Sequence, residues 1–254
     1  MNSLVSLLSA AALLSLQCVV YAQINGKVEM NNNLEPNVLP TTRHSTIRNY
    51  IRIMSPPPET VRHLPGTTLV LTCQMRGNPS PVVNWMKNGV PITDFEEDVN
   101  EILSIPSFSP TEMTSKLVLR SASNGDIFSC VGTSGLLEIS ASTAVIVVGE
   151  NQPQRLTSII QSKPVITTFY NNIFQYSGSS ATLPCRVDSP TKSQIIWLDN
   201  NGDIVYGNNR LRVLPSGDLH IADLSWDDMG GYTCTAKNAF GKDVIETFLY
   251  PLKV

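Results

Sequence analysis

The hydrophobic pattern divides the chain into an apolar leader, a polar arm and two β-rich blocks. Leu4 to Leu16 is mostly apolar, and residues 23–50 are polar and Asn-rich with no sustained periodicity. From residue 51 onward the pattern changes to short alternating runs, as expected of half-buried strands. The segment Ile51–Val61, interrupted by Pro56-Pro57-Pro58, suits an edge strand, because proline cannot donate to an inner ladder. Thr68–Cys73 places Leu69, Leu71 and Cys73 on one face, and Val82–Lys87 ends at the turn Asn88-Gly89. Lys116–Arg120, Asp126–Val131 and Leu136–Val148 complete the first block, whereas the acidic stretch 92–114 fits no element. A polar connection over 150–164 leads to the second block. Its predicted strands are Val165–Tyr176, Ala181–Val187, Gln194–Leu198, Leu211–Leu214, Asp218–Leu224, Gly231–Lys237 and Lys242–Pro251.

Each block carries a Cys–Trp–Cys frame, Cys73…Trp85…Cys130 and Cys185…Trp197…Cys234, with tryptophan twelve residues after the first cysteine. The second frame closes with Asp228-x-Gly230-x-Tyr232-x-Cys234. These frames resemble immunoglobulin-type β-sandwiches, in which strands B and F supply the cysteines and strand C buries the tryptophan against their disulfide. The resemblance implies an all-β chain of two tandem immunoglobulin-like (intermediate-set or C2-type) sandwiches over 51–149 and 165–254. Of the three pairings open to four cysteines, it selects Cys73–Cys130 and Cys185–Cys234. It also places Tyr232 at a tyrosine corner and pairs Arg210 with Asp228. Phe128 takes the corner position in the first block, with Asn124 and Asp126 in place of the Asp and Gly, so that corner is expected to be held less firmly. Trp226 either covers the E–F corner, which is the expectation, or meets a partner.

Composition narrows the class. Charged residues make up only 15% of the chain and the net charge is −3, without the basic balance of a nucleic-acid binder. No charged side chain precedes Lys27, and Val20-Tyr21-Ala22 puts small residues at −3 and −1 of a cleavage site. Residues 1–22 therefore read as a secretory signal peptide, too short in its apolar core for a membrane span. Its removal takes Cys18 and leaves four cysteines in an oxidising compartment. With no later stretch able to cross a bilayer, the mature protein is expected to be extracellular and free of membrane insertion. Residues 23–50 form an N-terminal arm.

Chemistry is sparse. His44, His63 and His220 lie far apart, no pair has metal-ligand spacing, and the cysteines are committed to bridges. No nucleophile elbow or Gly-rich phosphate loop occurs. No enzyme activity, metal or cofactor is expected, and His220 reads as a surface residue.

Several strings are more specific than the fold. They include Cys130-Val131-Gly132, Leu183-Pro184-Cys185-Arg186-Val187, Trp226-x-Asp228-Met229-Gly230-x-Tyr232, Gly241-Lys242-Asp243 and Thr247-Phe248-x-Tyr250-Pro251. Together they resemble the insect ecdysone-inducible imaginal morphogenesis proteins of the late class, a family of secreted two-immunoglobulin proteins. The resemblance implies capture of insulin-like peptides and antagonism of insulin signalling by sequestration. The alternative is a secreted adhesion or axon-guidance factor that binds a cell-surface or matrix protein. Capture of a small helical hormone needs an apolar patch with aromatic anchors. Candidates are the doubly apolar runs Val145, Ile146 and Val148; Ile166, Phe169, Tyr170 and Phe174; and Phe248 and Tyr250. These either bury one another across the domain junction or present the patch. The expectation is a hormone lying against the last strand of the first sandwich and the start of the second, so that a charge at Ile146 or Phe174 weakens capture.

Overall fold

A computed structural model describes residues 48–92, 110–149 and 161–253. The leader, most of the arm, most of the acidic stretch and residues 150–160 of the connection lie outside the described residues.

The first sandwich contains β1 (Tyr50–Ser55), β2 (Thr60–His63), β3 (Leu69–Asn78), β4 (Val82–Lys87), β5 (Val90–Pro91), β6 (Thr111–Leu119), β7 (Ile127–Ser134) and β8 (Leu137–Val147). The expected edge strand before residue 62 is two strands. The prolines at 56–58 end β1 on one sheet and let the chain cross to β2 at the edge of the other. Alternation on β3 sends Leu71, Cys73 and Met75 inward, where they meet Trp85, Leu119, Phe128, Cys130 and Val145. The disulfide Cys73–Cys130 spans this core.

The second sandwich contains β9 (Val165–Tyr176), β10 (Ala181–Leu183), β11 (Arg186–Asp188), β12 (Gln194–Leu198), β13 (Leu211–Val213), β14 (Leu219–Ile221), β15 (Gly230–Asn238) and β16 (Gly241–Leu252). The single strand expected over 181–187 is broken at Pro184-Cys185; β10 pairs with β14 and β11 with β9. Trp197, Tyr232, Leu183, Leu219, Ile221 and Leu249 are fully buried around the Cys185–Cys234 disulfide.

The two sandwiches share one sheet. Its strand order is β1-β3-β6-β9-β16-β15-β12, with β11 also on β9. The join is antiparallel pairing of β6 with β9, from Thr111↔Ile173 to Ser115↔Thr168. On its other side β9 pairs with β11 near Thr168 and, in parallel, with β16 from Asn172 onward. The second sandwich's first strand thus pairs along the free edge of β6. β9 sends Ile166, Phe169 and Ile173 into its own core; the three-residue step from Ile166 to Phe169, which breaks alternation, coincides with the register shift against β11 between Arg186 and Val187. The predicted strand Lys116–Arg120 is therefore only the second half of β6. The first half carries buried Thr111, Thr114 and Ser115; Ser115 faces the first core, and Thr114, on the opposite face, is buried at the seam. Trp85 Nε1 donates to Ser115 Oγ at 3.0 Å, and Thr114 Oγ1 to Asn171 Oδ1 at 2.7 Å.

Candidate functional site

Alternation along β16 turns Ile245, Thr247, Leu249 and Pro251 inward and leaves Val244, Glu246, Phe248 and Tyr250 on the outer face. The register places Asn172 beside Phe248 and Phe174 beside Tyr250. Phe174 and Tyr250 stack with ring centroids 5.6 Å apart, and Trp226 meets Tyr250 edge-on at the same separation. The Lys253 ammonium lies 4.9 Å from the Trp226 ring centre, so the rings end in a charged rim. Phe248 is 42% and Trp226 43% exposed. Opposite Phe248 on β15 stands Gly231, which has no side chain to cover the ring; a Cβ there would collide with the Glu246 carboxylate. Half-buried Ile196 and Leu198 on β12 extend the face. The result is an aromatic surface on β9 and β16, in the middle of the shared sheet.

Three predicted candidates, Phe174, Phe248 and Tyr250, lie on this face. The others do not. Val145 is fully buried against the first core and Ile166 against the second, and Phe169 is buried beneath the Lys116 ammonium, 5.2 Å from its ring. Tyr170, opposite Met113 on β6, packs against the second core, where burial and the Asp218 charge push its phenol up, and a hydrogen bond with Ser80 of the first sandwich partly offsets them. Half-buried Val148 donates its N–H to the His63 carbonyl at 3.0 Å. Ile146 is 43% exposed but stands opposite Arg62 in the other sheet, β2-β8-β7-β4-β5, and so faces away from the aromatic surface. The last strand of the first sandwich does not meet the second in any sheet; β6 does. This corrects the expected junction, because a strand's place in sequence does not fix which edge of a sandwich it leaves free.

Trp226 opens a 3-10 turn (Trp226–Asp228) just before β15, and its ring meets Tyr250 edge-on. The corner is held by Asp228. Its Oδ2 lies 2.6 Å from the Arg210 guanidinium and accepts the Ser225 N–H at 2.8 Å, while the Tyr232 hydroxyl donates to the Asp228 carbonyl at 3.0 Å. Burial opposes the Asp228 charge, but the Arg210 and Ser225 hydrogen bonds outweigh it and hold the carboxyl below its usual range. Burial and that nearby charge push the Tyr232 phenol up.

The first sandwich keeps its corner by other means. Asp126 binds Lys87 Nζ at 2.8 Å, the Ser123 N–H at 2.8 Å and Asn88 Nδ2 at 3.1 Å, and Asn124 Oδ1 accepts the Val147 N–H at 3.0 Å. These ties, Lys87 first, lower the Asp126 carboxyl to about 2. His220 is half-buried on β14 with its Nδ1 3.2 Å from Thr182 Oγ1. Among the described residues no group of three or more His, Cys, Asp or Glu side chains could hold a metal ion. None of their helices is long and apolar enough to cross a membrane.

Two sandwiches, each with a B–F disulfide, define an all-β immunoglobulin-type protein. The chain belongs to the immunoglobulin family, whose description, Immunoglobulin domain, matches residues 52–134 and 163–238. Within it, the chain is similar to the neural/ectodermal development factor IMP-L2 of Drosophila melanogaster, 28% identical over 88% of this chain and 85% of that one. The crystal structure of IMP-L2 superposes with a TM-score of 0.69 at 27% identity, covering 81% of this chain and 96% of the other. The Zwei Ig domain protein zig-4 of Caenorhabditis elegans is 34% identical over 73% of this chain and 74% of its own length.

Proposed function

We propose that this chain is a secreted binding protein that captures insulin-like peptides on the aromatic face of its shared sheet and restrains insulin signalling by sequestration. The observation that carries this is the aromatic cluster of half-buried Phe174 and Tyr250 with exposed Phe248 and Trp226, set on paired strands and the turn before β15. An insulin-like peptide offers an apolar helical face, and aromatic side chains bury large area at little cost in side-chain entropy. Likeness to IMP-L2 over most of both chains supports the same reading. A secreted binder acts by mass action, lowering free hormone.

The test is a calorimetric titration of purified protein with insulin-like peptides. Phe248→Asp is expected to weaken capture by at least ~10-fold, the loss of one interface anchor. Ile146→Asp, on the opposite face, is expected to leave it unchanged. Equal affinity for the Phe248 variant and wild type would discard the face. No binding by wild type at micromolar concentration would move the reading to an adhesion or guidance factor.

A further inference from the structure

The shared sheet has a second feature on the same outer face, at its β1 edge. By register, one row runs Arg52 (β1), Arg76 (β3), Glu112 (β6), Asn172 (β9), Phe248 (β16) and Gly231 (β15). Arg52 and Arg76 are directly opposed across the strands and both exposed. Like charges so placed repel one another. The nearest carboxylate in the row, Glu112, lies opposite Arg76 but forms no ion pair with it and accepts from Gln74 Nε2 at 2.7 Å. Among the described residues neither arginine side chain has an ion pair or hydrogen bond. Two guanidinium groups are thus held side by side on strands, facing solvent, with no ion pair to the fold.

We infer that Arg52 and Arg76 form a carboxylate clamp that orients an acidic protein partner whose apolar face lies on Phe248, Phe174 and Tyr250. The inference rests on the capture reading and adds the chemistry of the partner's second contact. Strands lie ~4.8 Å apart, so Arg76 stands about 14 Å and Arg52 about 19 Å from Phe248 across the sheet. A folded peptide of ~50 residues is roughly 20 Å across and spans that distance. Guanidinium forks match carboxylates bidentately. A sulfated polysaccharide fits less well, because it needs a long basic track and the row turns acidic at Glu112, one strand beyond Arg76. Charges at a rim of this kind act on encounter and orientation more than on the lifetime of the complex.

The experiment measures association and dissociation rates of the full chain with an insulin-like peptide at low and physiological salt. The variants are Arg52→Glu/Arg76→Glu and, separately, Phe248→Asp. The double variant is expected to associate about 10-fold more slowly at low salt and to lose most of the wild type's salt dependence, while Phe248→Asp mainly speeds dissociation. Unchanged association in the double variant, with Phe248→Asp still impaired, overturns the clamp and leaves the capture reading standing. Wild type failing to bind the peptide at all overturns both. Both positions are exposed, and thermal unfolding of the double variant near the wild-type temperature establishes that the fold is kept. Heparin retention that the double variant loses, with peptide kinetics unaltered, assigns the arginines to a polysaccharide and also overturns the clamp.

Discussion

Asp126 shows how one residue stands in for a missing hydroxyl. Phe128 occupies the place that Tyr232 fills in the second sandwich and cannot tie down its corner. Asp126 does so electrostatically, through Lys87, the Ser123 N–H and Asn88. The consequence is a dependence on pH. The folded carboxyl titrates at about 2 against an ordinary 3.8, so between those values the unfolded chain binds more protons than the folded one. Stability from this group is complete above about pH 5 and is lost as pH falls toward 2. One pKa unit is worth about 1.4 kcal/mol, which bounds the contribution at ~2 kcal/mol before screening of the exposed Lys87 reduces it. Urea unfolding of wild type and Asp126→Asn at pH 6 and pH 2.5 checks this. The variant is expected to be less stable at pH 6 and to lose less on acidification, whereas parallel losses in both proteins would remove Asp126 from the account.

At the scale of elements, the frames around Trp85 and Trp197 were readable because an inward cysteine, a buried indole and strand alternation all follow from one sandwich core. The seam was not, because no local pattern encodes which strand fills a neighbour's edge. Thr111, Thr114 and Ser115 look like loop residues until β6 pairs with β9. Of the apolar run Ile166–Phe174, Ile166, Phe169 and Ile173 fill the second core, whereas Phe174 meets Tyr250 on the outer face. Phe174 and Phe248 were legible as candidates, but the same reasoning also picked Val145 and Ile166, since apolar character does not distinguish a core face from a free one.

The seam is reinforced beyond its backbone ladder. Arg120, following β6, forms a two-point ion pair with Asp188 at the end of β11, one arm of it at 3.2 Å. Lys116 Nζ lies 3.9 Å from Asp243 on β16. Partly exposed pairs are worth little individually, so Arg120→Ala is expected to cost about 0.5–1 kcal/mol. Hydrogen exchange gives the local readout. Amides of 168–173 are expected to exchange roughly threefold faster in the variant, with those around Cys234 unaffected. Equal protection along β9 in both proteins would mean that the pair does not hold the seam.

Across the whole molecule, tandem domains joined only by a connection move and unfold independently by default. Here β9 belongs to both. Separating the sandwiches would uncover the edge of β6, break the Thr114–Asn171 bond and expose the Lys116 and Arg120 partners together. The chain is therefore expected to unfold in a single calorimetric transition, with van't Hoff and calorimetric enthalpies in agreement. Thr168 offers the critical variant, since it pairs with Ser115 on β6 and with Arg186 on β11, away from the aromatic face. A proline there removes a ladder N–H from an inner strand. Thr168→Pro should split the transition into two. It should also weaken peptide capture without altering any residue on the proposed surface, because Arg52, Arg76 and Phe248 then lose their fixed separation and binding must supply the ordering. Two well-separated transitions already in wild type would show that the seam does not couple the cores. A split in the variant with undiminished capture would mean that the hormone needs only the second sandwich.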